Sequence, residues 1–365
     1  MLALLAVLCA APVALADEAS GDWSGQVDAR GNYYWERSTR VVAPQFSAAI
    51  EAPNGVRVRG SYLLDAITSA SVASGALVDR RFTEVRHDLS LGGGYEFDLG
   101  DAALELGVDG RFSLEPDYVS RAGTLSGTLW LNERATGLQF SGTHLVDDVK
   151  TVTRGPSGPS GASNEGTLTS TVLGAAWIQA LSPVASLTVG YELGLLSGFL
   201  QNPYRSVSLG AAPLPEKHPG DRARHTGYAR LEYFVPATGT ALHGLFRLYG
   251  DSWDIYAITP EARIYQRISD DFMIRLRYRF YTQTKAFFQK DDYSAASAYY
   301  TADPKMTRFN NQLLGAQIYV PLTFLEHTAL DFAWRASLDF SFEFLWSTNA
   351  FGDGTIAQCG LSLPF

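Results

Sequence analysis

Residues 330–344 read LDFAWRASLDFSFEF. Every even position of this stretch, from Leu330 to Phe344, is apolar, and every odd position except Ala333 is polar or charged. A period of two indicates a β-strand, because successive side chains of a strand point to opposite faces. Strands of soluble proteins usually have about five or six residues, whereas a tilted strand that crosses a bilayer needs roughly 9–11. The pattern therefore predicts a strand over 330–344 with one face in lipid and the other in water.

The end of the chain alternates in the same way, with Ala357, Cys359, Leu361, Leu363 and Phe365 on one face. This ending resembles the closing strand of bacterial outer-membrane barrels, which commonly finishes on phenylalanine. Backbone groups in hydrocarbon must all be hydrogen-bonded, and a closed barrel achieves this without an exposed edge. The sequence therefore predicts an all-β fold, a transmembrane antiparallel up-and-down β-barrel.

The rest of the chain supplies the other strands of the predicted barrel. Alternation and turn signals such as Asn54-Gly55 predict about 16 strands, at 26–35, 40–52, 57–68, 83–97, 102–114, 123–132, 137–149, 168–181, 185–197, 224–235, 241–249, 256–268, 272–286, 308–320, 330–344 and 355–365. An even number is the rule for bacterial single-chain barrels. The long connections follow odd-numbered strands, which predicts short periplasmic turns and longer extracellular loops.

The first sixteen residues have the pattern of a secretory signal peptide, with an apolar run and the sequence Ala14-Leu15-Ala16 before Asp17. We therefore expect residues 1–16 to be removed and residues 17–365 to form the barrel. Removal would leave Cys359 as the only cysteine, so no intramolecular disulfide is expected. The predicted location is the outer membrane of a Gram-negative bacterium, reached through the periplasm.

Other classes of protein fit the sequence less well. The most apolar stretch, 169–200, carries Glu192, has Pro183 in its middle and keeps a period of two, so it predicts two strands and a turn rather than a membrane helix. A net charge of −9 argues against nucleic-acid binding. There is no HExxH and no P-loop, and the nearest Ser–His candidate, His87 with Ser90, does not share a face. We therefore expect no catalysis, no cofactor and no metal.

Charged side chains on the predicted strands are expected to face the lumen, because each would cost roughly 2–4 kcal/mol near the middle of the lipid. The lumen candidates are Arg230, Glu232, Glu261, Arg263, Arg267, Arg275, Arg277 and Arg279. Two interpretations stay open at this point. The charges pair with one another and stiffen the barrel, or unpaired arginines attract an anionic solute.

The long connections contain the candidates for a constriction. The segment 199–222 holds four prolines with Tyr204, Arg205 and Arg222, and is predicted to fold inward as a plug. Asp251 and Trp253 are expected at the extracellular rim, with Trp253 in the aromatic girdle. The segment 287–307 holds Asp291, Asp292 and Asp303, whose spacing matches no known calcium loop, so a solvated surface or a constriction is predicted there.

Several segments together resemble one known family. They are DAITSASV at 65–72, RFTEVRHD at 81–88, GFLQNPYRSV at 198–207, DSWDI at 251–255, RLRYRFYTQT at 275–284 and YYTADPKMT at 299–307. The family is a Gram-negative outer-membrane β-barrel family catalogued only as a domain of unknown function. The resemblance supports the barrel and singles out the long loops, and it implies no substrate or catalytic residue.

The sequence as a whole predicts a porin-like channel or secretion conduit with a polar, Arg-rich lumen. One specific form is a polysaccharide-export barrel working with periplasmic proteins. The alternative is a plugged, non-conducting barrel that anchors a periplasmic or surface complex. The expected partners are outer-membrane lipid and periplasmic export or assembly proteins, and no nucleic acid.

Overall fold

The computed structural model describes residues 23–37, 39–70, 81–150, 165–208, 213–269, 271–294 and 296–365, so the predicted signal peptide lies outside the described residues. In this part of the chain sixteen strands form a closed barrel and two more form a small hairpin. The strands are β1 (Ser24–Glu36), β2 (Thr39–Glu51), β3 (Arg57–Ala70), β4 (Arg81–Asp98), β5 (Ala102–Leu114), β6 (Tyr118–Leu131), β7 (Thr136–Val149), β8 (Gly166–Ser182), β9 (Ala185–Gly198), β10 (Ser206–Ser208), β11 (Pro213–Pro215), β12 (Asp221–Val235), β13 (Thr240–Asp251), β14 (Tyr256–Ser269), β15 (Phe272–Gln283), β16 (Phe309–Pro321), β17 (Ser337–Ser347) and β18 (Gly354–Pro364). Three short 3-10 helices cover Pro304–Met306, Thr323–Leu325 and Asp331–Ala333.

Neighbours along the chain are neighbours in the barrel, with antiparallel pairing throughout. The ring closes where β1 pairs with β18, with Arg30 opposite Gly360. The single interruption is between β9 and β12, which pair directly while the β10–β11 hairpin lies in the connection between them. The predicted up-and-down barrel of sixteen strands is therefore confirmed.

Outward positions of the barrel are apolar and exposed. Leu91 on β4 is 64% exposed and Leu125 on β6 is 68% exposed, and their strands have 18 and 14 residues, enough to cross a bilayer. So much exposed apolar surface would aggregate in water, and it is explained when the outer face of the barrel contacts lipid. Among the described residues, no helix has the length and apolarity to span a membrane.

Exposed aromatic side chains lie near both ends of the outward surface. Tyr95 and Phe97 come just before the turn at 99–101, whereas Trp35, Tyr256 and Trp346 lie close to the opposite end. Such aromatic girdles mark the two interfaces of a membrane barrel. The chain is a transmembrane β-barrel.

The prediction of a strand over 330–344 was wrong for its first seven residues. Strand β17 begins at Ser337, and residues 331–333 form a 3-10 helix. Local hydrogen bonds compete with strand pairing here, because Asp331 accepts from the backbone N–H of His327 and Trp334 donates back to Asp331. The alternation of residues 330–336 therefore reflects no strand.

The connections differ in length at the two ends of the barrel, as predicted, with one exception. At one end, here called the short-turn end, connections of two to five residues follow β2, β4, β6, β8, β12 and β14. The exception at this end is the fifteen-residue segment 322–336 between β16 and β17. Within the described residues, the other end, called the long-loop end, carries two long connections. They are 199–220, which includes the β10–β11 hairpin, and 284–308.

Candidate functional site

Inward side chains of β3, β4 and β5 form a ladder of ion pairs. Arg59 contacts Asp109 at 2.5 Å and Arg86 contacts Asp65 at 2.8 Å. Arg57 pairs with Glu105, and Arg111 with Asp88, in the same way. Each arginine on this wall thus has a carboxylate partner, and the wall carries little net charge.

Three of the lumen ion pairs span two strand spacings with a glycine on the strand between. Arg59 of β3 reaches Asp109 of β5 across Gly92 of β4. The other two are Arg30–Gly360–Asp339 and Arg277–Gly315–Glu343. A Cβ atom on Gly92 would lie 1.9 Å from the Asp109 carboxylate. The glycine therefore leaves the space in which the carboxylate meets the guanidinium.

Most of the predicted lumen arginines of β14 and β15 also belong to an ion-pair network. Glu261 accepts from Arg263 at 2.5 Å and from Arg277 at 2.9 Å. Glu343 of β17 accepts from Arg277 at 3.0 Å and from Arg275 at 3.2 Å. The Glu261 and Glu343 side chains are 4% and 6% exposed, so both carboxylates are covered by their partners. For these residues the geometry fits the stiffening interpretation.

Three other predicted lumen residues, Arg230, Glu232 and Arg267, lie towards the short-turn end. Arg230 contacts Glu232 at 3.4 Å, and the His243 ring nitrogen lies 3.5 Å from the same carboxylate. Arg267 is exposed beside a register shift at the end of β14, close to Gly239 of the β12–β13 turn. Arg267 therefore sits at the rim of the short-turn end.

Apart from Arg267 at the rim, three inward arginines differ from the rest: across the described ranges, Arg224, Arg247 and Arg279 have no carboxylate within ion-pair distance. They line one cavity of about 920 Å³. The cationic side chains of Arg205 and Lys305 also line it, against the two carboxylates of Glu36 and Glu192. This part of the lumen therefore carries an excess of positive charge.

The sequence-based candidate set contained Arg279 but neither Arg224 nor Arg247. Arg224 lies on the same face of β12 as Arg230, so the alternation could have identified it. Arg247 was missed because Leu245 occupies the inward position between it and His243, and an apolar inward residue interrupts the polar pattern of β13. Lys305 could be identified only from the folded loop.

The 199–220 connection crosses the long-loop end of the barrel. The Tyr204 hydroxyl donates a hydrogen bond to Asp117 in the β5–β6 turn, and Arg205 forms an ion pair with Asp303 in the 284–308 connection. The strands that bear these two partners stand eight places apart in a ring of sixteen. Two adjacent residues therefore link opposite sides of the mouth.

Glu216 holds the 199–220 and 284–308 connections together. Its buried carboxylate accepts from the backbone N–H of Asn202 at 2.8 Å, the Thr301 hydroxyl at 3.0 Å and the Ala302 N–H at 3.2 Å. Burial raises the pKa of Glu216, but the nearby His218 ring, whose Nε2 lies 3.5 Å from the carboxylate, and the other donors outweigh it and hold that pKa below its usual value. The carboxylate therefore stays ionised inside the loop interface.

The prediction that Trp253 belongs to the aromatic girdle was wrong. Trp253 is 2% exposed and packs with Ile255, Ala286, Phe288 and Met306 in an apolar cluster under the loops. Its indole N–H donates to the backbone carbonyl of Asp221 at 2.9 Å. A girdle tryptophan points to lipid, whereas this one anchors the 284–308 connection to the barrel.

Arg222 and Asp251 lie beside this cluster, at the ends of two paired strands rather than in a loop. Arg222, expected in the 199–222 loop, is the second residue of β12, and Asp251 is the last of β13. They form a buried ion pair, and the Arg222 guanidinium lies 4.2 Å from the centre of the Trp253 ring. Asp251 also accepts from the Trp253 and Ile255 backbone N–H groups.

The three predicted acidic residues of the 284–308 connection have different surroundings. Asp303 is largely buried in its ion pair with Arg205. Asp291 and Asp292 are exposed, and within the described part of the loop neither forms an ion pair. Neither lines the cavity that contains Arg224, Arg247 and Arg279.

A group of three carboxylates lies near the β5–β6 turn. Oxygens of Glu84, Glu115 and Asp117 come within 4.8 Å of one another. Burial raises the pKa of Glu115, and Arg86 opposes that rise from 3.9 Å away. Asp117 is already engaged by the Tyr204 hydroxyl, so the group takes part in closing the mouth.

A family model described as "Protein of unknown function (DUF3570)" matches residues 71–334. The chain belongs to this family. The match covers β4 to β16 together with both long connections. A comparison with curated proteins gives no match.

Solved structures with the same kind of barrel include CdiB from Acinetobacter baumannii, with a TM-score of 0.50 and 7% identity, over 93% of this chain and 60% of that chain. Pseudomonas aeruginosa OprD aligns with a TM-score of 0.47 and 9% identity, over 95% and 97% of the two chains. The outer membrane protein opdK from Pseudomonas aeruginosa gives 0.42 and 11%, over 94% and 99%. At these identities the similarity concerns the fold alone. A closed antiparallel barrel with an apolar exterior belongs to the outer membrane.

Proposed function

We propose that this chain is a porin-like channel that passes small hydrophilic solutes across the outer membrane. The observation that carries the proposal is the cavity of about 920 Å³ inside the barrel. Polar residues from opposite walls line it, among them Tyr34 of β1 and Tyr249 of β13. Sixteen strands enclose a lumen wide enough for water, and polar walls keep it hydrated.

The channel is oriented with its long-loop end at the cell surface and its short-turn end in the periplasm. Bacterial barrels have long extracellular loops and short periplasmic turns, which matches the two ends of this barrel. In this proposal, residues 1–16 direct the chain to the periplasm, from which the barrel inserts.

The folded loops favour a small solute over a polymer. Tyr204 and Arg205 join opposite sides of the mouth, so a solute must pass beside them. An extended polysaccharide could pass only if these contacts stayed broken until the whole polymer had crossed. A small-solute channel therefore fits the closed mouth better than the polysaccharide-export form of the conduit does.

The second candidate is a plugged barrel that serves as an anchor for periplasmic export or assembly proteins. The same contacts across the mouth favour it, as does the segment 322–336 at the short-turn end. This segment exposes Phe324, Leu330 and Phe332 by 61%, 51% and 50%. Exposed apolar side chains on the longest connection of that end are a suitable contact for a periplasmic partner.

Conductance of the purified, refolded barrel in a planar bilayer distinguishes the two candidates. A channel gives steady conductance steps that scale with salt concentration. A plugged anchor stays silent while its gel mobility shows that it is folded. If the folded barrel remains silent even after both mouth contacts are removed, by Tyr204→Phe combined with Asp303→Asn, the channel proposal is wrong.

A further inference from the structure

The side chains that line the cavity under the loops include more cations than carboxylates. Arg224, Arg247 and Arg279 project into it from β12, β13 and β15. The Nε atoms of Arg224 and Arg279 are buried and within the described structure have no hydrogen-bond partner, which is also true of Arg57, Arg86, Arg275 and Arg277. Those four arginines have carboxylate partners, whereas Arg224 and Arg279 have none within ion-pair distance. Buried guanidinium donors without acceptors are costly, so the fold alone gives no reason for this arrangement.

The unpaired arginines of this cavity contrast with the paired arginines elsewhere in the lumen. On the opposite wall, every arginine of the β3–β5 ladder has its own carboxylate. Beside the cavity, the positive charges of Arg247 and Arg277 repel Arg279, and the negative charges of Glu261 and Glu343 offset part of that repulsion. An anion placed between these arginines would remove the repulsion and supply the missing acceptors.

We propose that this cavity binds a small hydroxylated carboxylate, such as a sugar acid. A carboxylate accepts two parallel hydrogen bonds from a guanidinium fork, and three such forks are free here. The Lys305 side chain, which also lines the cavity, adds a fourth cation from the 284–308 connection. The proposal rests on the porin-like function only in assuming that the solute reaches the cavity through the channel. Binding in the cavity does not itself require conduction.

Two features of the lining select for hydroxyl groups and against a more highly charged anion. The side-chain Oδ1 of Asn311 is buried and in the described structure accepts no hydrogen bond, and Asn311 lines the cavity. A solute hydroxyl would supply the donor that this oxygen lacks. The Glu36 and Glu192 carboxylates also accept from hydroxyls and repel a polyanion, which disfavours inorganic phosphate.

The test is calorimetric titration of the folded, detergent-solubilised full chain with four probes. Gluconate carries both the carboxylate and the hydroxyls, acetate only the carboxylate, and sorbitol only the hydroxyls, while inorganic phosphate is the competing anion. We expect gluconate to bind about tenfold or more tighter than acetate or phosphate, and sorbitol not to bind. Raising the salt concentration should weaken gluconate binding.

Variants locate the site within the barrel. Arg247→Gln and Arg279→Gln should each weaken gluconate binding about tenfold or more, since each removes a charged hydrogen-bond donor. The control is Arg59→Gln, which removes an arginine of β3, eight strands from β13 in the ring, and should change the affinity less than about twofold. Arg247 is exposed and lines the cavity, so Arg247→Gln should fold. It can therefore test the proposal even if Arg279→Gln does not fold.

Several results would overturn the proposal. They are an absence of gluconate binding to the folded wild-type chain, binding of sorbitol or phosphate as tightly as gluconate, or an equal loss in Arg59→Gln. A barrel that conducts without binding gluconate contradicts the site alone. A barrel that binds gluconate without conducting contradicts the porin-like function and leaves the site intact.

Discussion

Arg277 of β15 and Glu343 of β17 form a 3.0 Å ion pair directly over Gly315 of the intervening strand β16. Neighbouring strands are about 4.8 Å apart, so the two side chains reach across about twice that distance. They meet because Gly315 has no side chain in the space between them. The same arrangement recurs with Gly92 and Gly360, which makes it a general device of this lumen.

Replacing Gly315 by alanine should therefore break the ion pair. A Cβ atom at this position would lie 2.6 Å from Cγ of Glu343, so the carboxylate must move away from Arg277. We expect the free energy of unfolding to fall by about 1–3 kcal/mol, as for overpacking in other interiors. Urea unfolding of the barrel in lipid vesicles, followed by tryptophan fluorescence, measures the change.

The matched control is Gly244→Ala on β13, an outward position where an added Cβ meets nothing within 4 Å. This variant should unfold at the same urea concentration as the wild type, or slightly above it. Equal destabilisation of both variants would mean that glycine is needed for the barrel backbone rather than for the ion pair.

Removing the Asp303 charge should open the mouth of the barrel. In Asp303→Asn the ion pair with Arg205 is lost, and one of the two contacts that join opposite sides of the mouth goes with it. The loss removes a charge–charge contact between the two connections, although the charge of Glu216 still acts on Arg205, so the loops should separate more often. Single-channel recordings should show a larger or more frequent open level than in the wild type.

Asp292→Asn is the control for this prediction, because it makes the same chemical change in the same connection. Asp292 is exposed, and in the described part of the loop no ion pair involves it. Its conductance should match the wild type. An identical increase in both variants would show that net loop charge, rather than the Arg205–Asp303 contact, controls the opening.

Acid should loosen the same loops through Glu216. The folded protein holds the pKa of this carboxyl below its usual value, chiefly through His218, against the effect of burial. A lowered pKa means that the carboxylate stabilises the packed loops above about pH 4.3, the ordinary value of glutamate. This contribution is lost as the pH falls through the folded value, so wild-type conductance should rise in that acidic range.

Glu216→Gln tests the assignment of the acid response. The variant has no carboxylate to protonate, so its loops should be looser at neutral pH and its conductance should show no acidic step. Hydrogen exchange at the Asn202 and Ala302 amides, which donate to Glu216, should be faster at pH 7. An acid step that persists in Glu216→Gln would assign the response to another group.

The alternation of side chains predicted the number of strands and which residues face inward, because one buried or lipid-facing side fixes the register of a strand. The same signal failed over 330–336, where Asp331 forms local hydrogen bonds that end the strand pattern. The pattern depends only on the polarity of successive side chains. Apolar and polar residues can also alternate by chance in a segment that forms turns. Strand ends were therefore less predictable than strands.

The candidate site was only partly predictable, since pairing depends on contacts between distant strands. Sequence patterns placed Arg275, Arg277 and Arg279 on one face but could not tell that Glu343 neutralises the first two. The position of Trp253 was likewise hidden, because its burial depends on the 284–308 connection folding over it. These outcomes follow from tertiary packing, which a single strand pattern does not contain.

Burial should decide how much each lumen ion pair contributes to stability. Arg222 and Asp251 are 7% and 0% exposed, so Arg222→Gln leaves a buried charge unpaired and should cost about 3–5 kcal/mol. Arg59 and Asp109 are 51% and 27% exposed, so Arg59→Gln should cost less than about 1 kcal/mol. Urea unfolding in vesicles measures both. Equal costs would mean that water reaches the Arg222–Asp251 pair and that the loop cluster around Trp253 does not seal it.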